Sequence, residues 1–203
     1  MTLIRAQAPL ERSLRREIAQ LHRDALPGSL LNELGPSILE KYYSFITKSG
    51  NESLFLVVRD SQMIGTCTLS YAPESLMARF FRQFPLHLGM AVMARSLHSP
   101  ALRRAIFGLL NRGADTLPAS LAHSPEVVQL FVKEAARSCG IGGELLHAAE
   151  AELRARGVPS YYVKTEAVQE NRATSFYQRA GFQHCGGINL QGQNFLLLAK
   201  NLL

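Results

Sequence analysis

The stretch that decides the fold is Glu126-Val-Val-Gln-Leu-Phe-Val-Lys-Glu-Ala-Ala-Arg137-Ser-Cys-Gly140-Ile-Gly-Gly143-Glu-Leu-Leu-His147-Ala148. Val127, Val128, Leu130, Phe131 and Val132 have the β-branched or large apolar side chains of a buried strand. Gly140, Gly142 and Gly143 crowd the next turn, and Leu145, Leu146, Ala149 and Leu153 then recur at helical spacing. The segment therefore reads as strand, turn and helix. Glycines at the mouth of a helix let the backbone approach a ligand closely. The first-turn N–H groups have no intrahelical partner, and the positive end of the helix dipole lies behind them. Such a turn is an anion site, most naturally for phosphate.

Three glycine-rich phosphate loops compete for this turn. A Walker loop needs Gly-Lys-Ser/Thr, but Gly143 is followed by Glu144 and Leu145. A dinucleotide loop needs G-x-G-x-x-G, and counting from Gly140 the last position is Leu145. The third pattern, Arg/Gln-x-x-Gly-x-Gly/Ala after a strand, is met throughout by Arg137-Ser-Cys-Gly140-Ile-Gly142. A close helix–strand contact without any ligand would also use such glycines. Downstream, residues 160–165 read as a second strand. Asn171-Arg-Ala-Thr-Ser-Phe176-Tyr177-Gln-Arg-Ala-Gly181-Phe182 then reads as a helix with Asn171 at its N-cap and Gly181 just past its end. These two motifs, in this order, resemble the signatures of the GNAT N-acetyltransferases. Ala173, Phe176, Tyr177, Gly181 and Phe182 fall in register with the second signature, while Asn171 comes one position late and Glu170 holds its place. The resemblance covers residues 126–200 closely and 2–71 loosely.

Outward from the motifs, Thr2–Arg5 is a candidate strand and residues 10–26 a helix, broken at Pro27-Gly28. A short helical turn follows at Leu30–Leu34, stopped by Gly35-Pro36, and a further helix spans 38–46. Residues 54–59 and 63–71 read as a hairpin across Asp60-Ser61-Gln62, with Gly65 at a bulge or a close backbone contact. Two closing strands are expected at about 183–190 and 194–200, joined by a turn at Gln191-Gly192. The resemblance thus implies an α/β (α+β) GNAT fold over 1–203: a mixed sheet of six or seven strands, splayed at its central strand pair and flanked by helices.

Residues 73–123 form an insert between the third and fourth strands, too long for a hairpin connection. Amphipathic helices are expected at 77–84 and 101–110, with Phe80, Phe81, Phe84, Phe107, Leu109 and Leu110 supplying apolar surface. Arg79, Arg82, Arg95, Arg103, Arg104 and Arg112 stand against Glu74 and Asp115, a surplus of four in a chain of net charge +6. A cap over the acceptor, a basic surface for peripheral contact with anionic membrane, and a dimer surface all fit, so monomer and homodimer stay open. No nucleic-acid-binding module is present.

The composition, 47% apolar and 19% charged over 203 residues, is that of one globular domain. Cys67, Cys139 and Cys185 form no zinc or disulfide framework, and the six histidines lack metal-ligand spacing, so no metal is expected. Without an apolar leader or a membrane span, a cytoplasmic setting is the expectation.

The resemblance also implies the chemistry: acetyl transfer from acetyl-CoA to a primary amine. Phe131, Val132, Arg137, Ser138, Cys139, Gly140, Ile141, Gly142, Gly143 and Asn171 would bind the cofactor. Val132 stands where the family offers an N–H to the thioester carbonyl. Glu126, at the family position that opens the central strand, is the candidate base, with Glu166 as alternative. The ordinary reading of Glu126 is a solvent-exposed strand-end carboxylate. Tyr177 is the candidate acid, with core packing beside Phe176 as its structural role. The acceptor is expected to be a small, possibly acidic amine or an amino sugar. A protein N-terminus or lysine, or a non-catalytic CoA-binding module, stand as alternatives.

Overall fold

The computed structural model describes residues 1–96, 117–168, 171–190 and 193–203. Seven strands form one sheet in the order β1-β2-β3-β4-β5-β7-β6. They are β1 (Thr2–Arg5), β2 (Glu52–Arg59), β3 (Gln62–Ser70), β4 (Glu126–Val132), β5 (Ser160–Glu166), β6 (Gln183–Leu190) and β7 (Gln193–Asn201). Every neighbouring pair is antiparallel except β4–β5. On one face lie α1 (Arg12–Ala25), α2 (Leu30–Leu34) and α3 (Pro36–Lys48), which bury Ile18, Leu39, Tyr42 and Ile46 over Leu54, Leu56 and Phe131. The other face carries α6 (Ile141–Ala155) and α7 (Arg172–Arg179), over Val57, Cys67, Val127 and Tyr161. Among the described residues no helix is long and apolar enough to cross a membrane.

The hairpin forms as expected, with Asp60 and Ser61 both at positive φ in its turn. Gly65 serves both expected purposes. It lies beside a β-bulge between Val57 and Val58, and a Cβ there would come within 3.0 Å of Ile141 Cγ2 and 3.1 Å of Leu145 Cδ1. The tight seat of α6 on β3 therefore depends on that missing side chain.

The insert begins with α4 (Pro73–Gln83) and α5 (Pro85–Ser96), and ends in a 3-10 turn at Ala119–Leu121. The helix expected at 101–110, with Arg103, Arg104, Phe107, Leu109 and Leu110, lies outside the described residues, as do His98, Arg112, Asp115, Glu170 and the Gln191-Gly192 turn. Helix α5 was not foreseen; its Pro85 sits at the N-terminus, where a missing N–H costs no helical bond.

One part of the basic-surface expectation is corrected. Arg79 does not face solvent in a basic patch. Its guanidinium holds Glu52 at 2.6 and 3.0 Å, reaches Ala72 O and Ser49 Oγ, and ties α4 to the edge of the core. The Glu52 side chain is 0% exposed and also accepts from Ser70. A carboxylate in such a place demands a partner. Arg95 lays its guanidinium over Gly35 and donates to Glu33 O at 3.4 Å, joining α5 to the end of α2.

His22 is the other buried polar group of note. It is 1% exposed between α1, α3 and β4, with its ring edge-on to Phe131 at 5.3 Å. Burial pushes its pKa from 6.5 down to about 4, so the ring is neutral in the fold.

Two outcomes follow from these buried groups. Arg79→Met strands the Glu52 carboxylate and should cost about 3 kcal/mol, lowering Tm by roughly 6–12 °C; adding Glu52→Gln should restore part of that loss. For His22 the unfolded chain binds the extra proton between pH 6.5 and about 4. Its contribution is therefore intact above pH 6.5 and is lost as pH falls through that window. At pH 5 the loss reaches about 2 kcal/mol. His22→Gln should flatten the change in urea midpoint between pH 7 and pH 5, and an unchanged slope would contradict the assignment.

Candidate active site

Among the described residues, the sheet opens at the β4–β5 pair. Their register holds at Glu126↔Tyr162, backed by Tyr162 N–H donating to Pro125 O at 3.0 Å, and extends no further. A second irregularity sits on the other edge of β4, where the β3 register shifts between Thr68 and Leu69 and leaves Val128 as an extra residue. Bulges bend and twist the strand that carries them. Beyond this one β4 leans to β3 alone. Lys133 N–H donates to Ile64 O on β3. Successive N–H groups alternate in direction along a strand, so Val132 and Leu130 point theirs into the gap. An extended, polar ligand arm can pair with β4 there as an added strand would.

The gap leads to the glycine turn. Arg137 N–H still donates to Glu134 O, and Glu144 N–H to Gly140 O. Between them, from Ser138 to Gly143, no main-chain N–H has a partner among the described residues. Two residues bend the backbone to present them: Ser138 at φ 63° and Gly140 at φ 79°. A left-handed non-glycine residue such as Ser138 costs about 1–2 kcal/mol, and such strain concentrates at ligand clamps. Gly142 lies under Phe176 of α7, where a Cβ would come within 3.3 Å of the ring. Ile141 is buried and anchors the first turn of α6, so its N–H is held in place by its own side chain. Ser138, Cys139 and Gly140 are exposed. Arg137 is exposed too, but its Nε donates to the Val132 carbonyl at 3.3 Å, fastening the end of β4.

Glu126 is not the exposed strand-end carboxylate that its position suggests. It is 2% exposed, on the sheet face that carries α1–α3. Its Oε2 accepts from Tyr162 OH at 2.9 Å and faces Lys164 Nζ at 3.0 Å, while Oε1 has no partner among the described residues. Tyr162 and Lys164, on β5, escape the sequence reading because only the parallel crossing brings them to Glu126. Glu166, the alternative base, is exposed at the end of β5.

Tyr177 is buried, edge-on to Phe176 at 5.0 Å and Phe182 at 5.2 Å. Its hydroxyl donates to nothing among the described residues. Burial, and then the neighbouring Cys67 and Glu126, push the phenol above its ordinary range, so it holds its proton at neutral pH. Asn171 caps α7 as expected: Oδ1 accepts from Ala173 N–H at 2.9 Å and Nδ2 donates to Glu166 O at 2.7 Å. Both its polar atoms are therefore engaged within the chain. Phe131 turns its side chain to His22 and away from the gap, and by the alternation along β4 its N–H faces β3, so its expected contact with a ligand in the gap does not form there.

Comparison with known proteins agrees with this fold. An acetyltransferase (GNAT) domain model matches residues 109–184. No curated protein matches the chain by sequence. Among solved structures, an aminoglycoside 6'-N-acetyltransferase complexed with coenzyme A superposes with TM-score 0.63 at 14% identity, covering 100% of this chain and 98% of that one. The aminoglycoside 6'-N-acetyltransferase of Enterococcus faecium gives 0.61 at 13%, with 100% and 98% covered. The ribosomal-protein-S18-alanine N-acetyltransferase of Escherichia coli gives 0.55 at 12%, with 99% and 94% covered. With its seven-stranded mixed sheet, the opening between β4 and β5 and the glycine turn beyond it, the chain has the fold of these solved acetyltransferases, and its residues 109–184 match the GNAT domain model.

Proposed function

We propose that this protein transfers the acetyl group of acetyl-CoA to the primary amine of a small acceptor, by direct attack with both substrates bound. The observation that carries this reading is the unpaired run of N–H groups from Ser138 to Gly143 at the end of an open strand pair. Such a run at the start of a 15-residue helix suits a diphosphate. The free edge of β4 suits the pantetheine arm. When bound, acetyl-CoA supplies the activated acyl carbonyl.

The remaining work belongs to the chain. The N–H of Val132 stands ready for the carbonyl oxygen as negative charge develops there. One fixed donor of this kind is worth roughly 3 kcal/mol in comparable acyl transfers. An alkylammonium has a pKa of roughly 10.4, so a base must take its proton before attack. Glu126 fills that role through Oε1, while Tyr162 and Lys164 hold Oε2 and fix the carboxylate. Tyr177, protonated at neutral pH, returns a proton to the departing thiolate. The acceptor would be held between the Pro27–Pro36 loop and the insert, and because α5 is tied to the end of α2 there through Arg95, a small acceptor is favoured over an extended peptide.

The test is thiol release from acetyl-CoA across a panel of amines. Glu126→Gln should lower kcat/KM by about 10²–10³-fold at pH 7, with less loss at high pH, where the amine deprotonates unaided. Tyr177→Phe should lower kcat about tenfold or more with little change in KM. Loss of neither activity, or turnover with no amine in the panel, would refute the proposal.

A further inference from the structure

The α1–α3 face of β4 carries a polar chain that the proposed reaction leaves unused. Ser29, the N-cap of α2, accepts the Asn32 N–H at 3.3 Å, and its hydroxyl lies 3.2 Å from His22 Nε2. His22 Nδ1 is 2.9 Å from the Tyr43 hydroxyl, which donates to Gln129 Oε1 at 3.1 Å. The directions are forced. Tyr43 has one proton and gives it to Gln129, so it accepts from His22 Nδ1–H. Nε2 then carries the lone pair and takes the Ser29 proton. A neutral imidazole does both at once, and burial keeps this ring neutral at pH 7.

With Oε1 held, the Gln129 amide has both N–H donors left. Its Nε2 has no partner among the described residues. Gln129 pairs with Thr68 and Glu126 with Ser70, two β3 residues apart. Both side chains therefore share one face, about 7 Å apart along the strand. The relay ends in the Pro27–Gly35 connection, so the amide is fixed from the loop on the acceptor side. Beside it, the hydroxyl of Thr68 is fully buried and has no partner among the described residues.

We infer that Gln129 is a specificity-determining residue, donating a hydrogen bond to an oxygen that the acceptor carries within about three bonds of its amine. The acceptor class is then hydroxylated, carbonylated or carboxylated small amines, such as amino alcohols, amino sugars and amino acids, in preference to plain alkylamines. This rests on the acetyltransferase reading and adds the chemistry of the second substrate. A site built to hydrogen-bond a substrate oxygen disfavours the analogue that lacks it, because its donor is left unpaired.

Matched amines provide the test: glucosamine against cyclohexylamine, ethanolamine against propylamine, and alanine against isopropylamine, all with acetyl-CoA. The wild type should favour the oxygen-bearing member of at least one pair. Gln129→Leu should lower that kcat/KM ratio about tenfold, the worth of one hydrogen bond, mostly through KM. Gln129→Glu, of the same shape but without N–H donors, should lose the preference likewise. Tyr43→Phe, which frees the amide to turn, should give an intermediate loss, with thermal melts confirming that each variant folds. Turnover with a ratio that neither Gln129 variant alters would overturn the inference alone. Turnover with none of these amines would overturn it together with the acetyltransferase reading.

Discussion

The constraint on which the rest of the structure depends is that, among the described residues, the main-chain N–H groups from Ser138 to Gly143 find no acceptor. Helix starts always leave such donors, but most chains cap them with a side chain. Here the N-cap is Gly140, which has none to offer. Ser138 accepts a left-handed backbone to keep the turn in shape. Buried contacts hold the turn from behind: Ile141 in the core, Gly142 under Phe176, and Gly65 beneath Ile141 and Leu145. The donors are thus presented by packing, and they point away from it.

The open sheet follows the same logic. A parallel pair that ended at one residue would be a defect in an ordinary fold, since it leaves strand edges without partners. The bulge at Val128 turns β4 toward β3, and β5, β7 and β6 pair with one another along their length. The two halves of the sheet therefore part without losing their own ladders. At the closed end of the gap stands a row of buried polar groups: Glu52, Ser70, Glu126 and Tyr162, each in register with the next. Glu52 is neutralised by Arg79 from the insert. Glu126 meets Lys164 on one oxygen and leaves the other open. That open oxygen is what separates the proposed base from a purely structural ion pair.

Much of this was legible in the sequence because the signals were local. The glycine turn, the Asn171 cap, the hairpin across Asp60-Ser61 and the strand ends were read from residues adjacent in the chain. Long-range pairing was not legible. Nothing near Arg79 announces Glu52 as its partner, so a buried ion pair was read as part of a basic surface. Nothing near Glu126 announces Tyr162 and Lys164, so the sequence left a candidate base and an exposed strand-end carboxylate both open. Nothing near His22 or Gln129 announces their link, because the bond through Tyr43 that joins them spans 86 positions. Helix α5 was missed because its apolar residues lack a clear single-faced period, with Leu86, Met90 and Met93 left on the outside.

The central claim is that the donors of the Ser138–Gly143 turn receive the diphosphate of coenzyme A. Titration calorimetry of the folded protein with CoA tests it most directly, beside Gly140→Ala, which forces a Cβ onto a backbone at φ 79°. The account predicts saturable one-to-one binding in the micromolar range, weakened about tenfold or more in the variant, whose strained turn costs about 1–2 kcal/mol. A folded wild-type protein that releases no heat with CoA or acetyl-CoA, and gains no thermal stability from either, would contradict it.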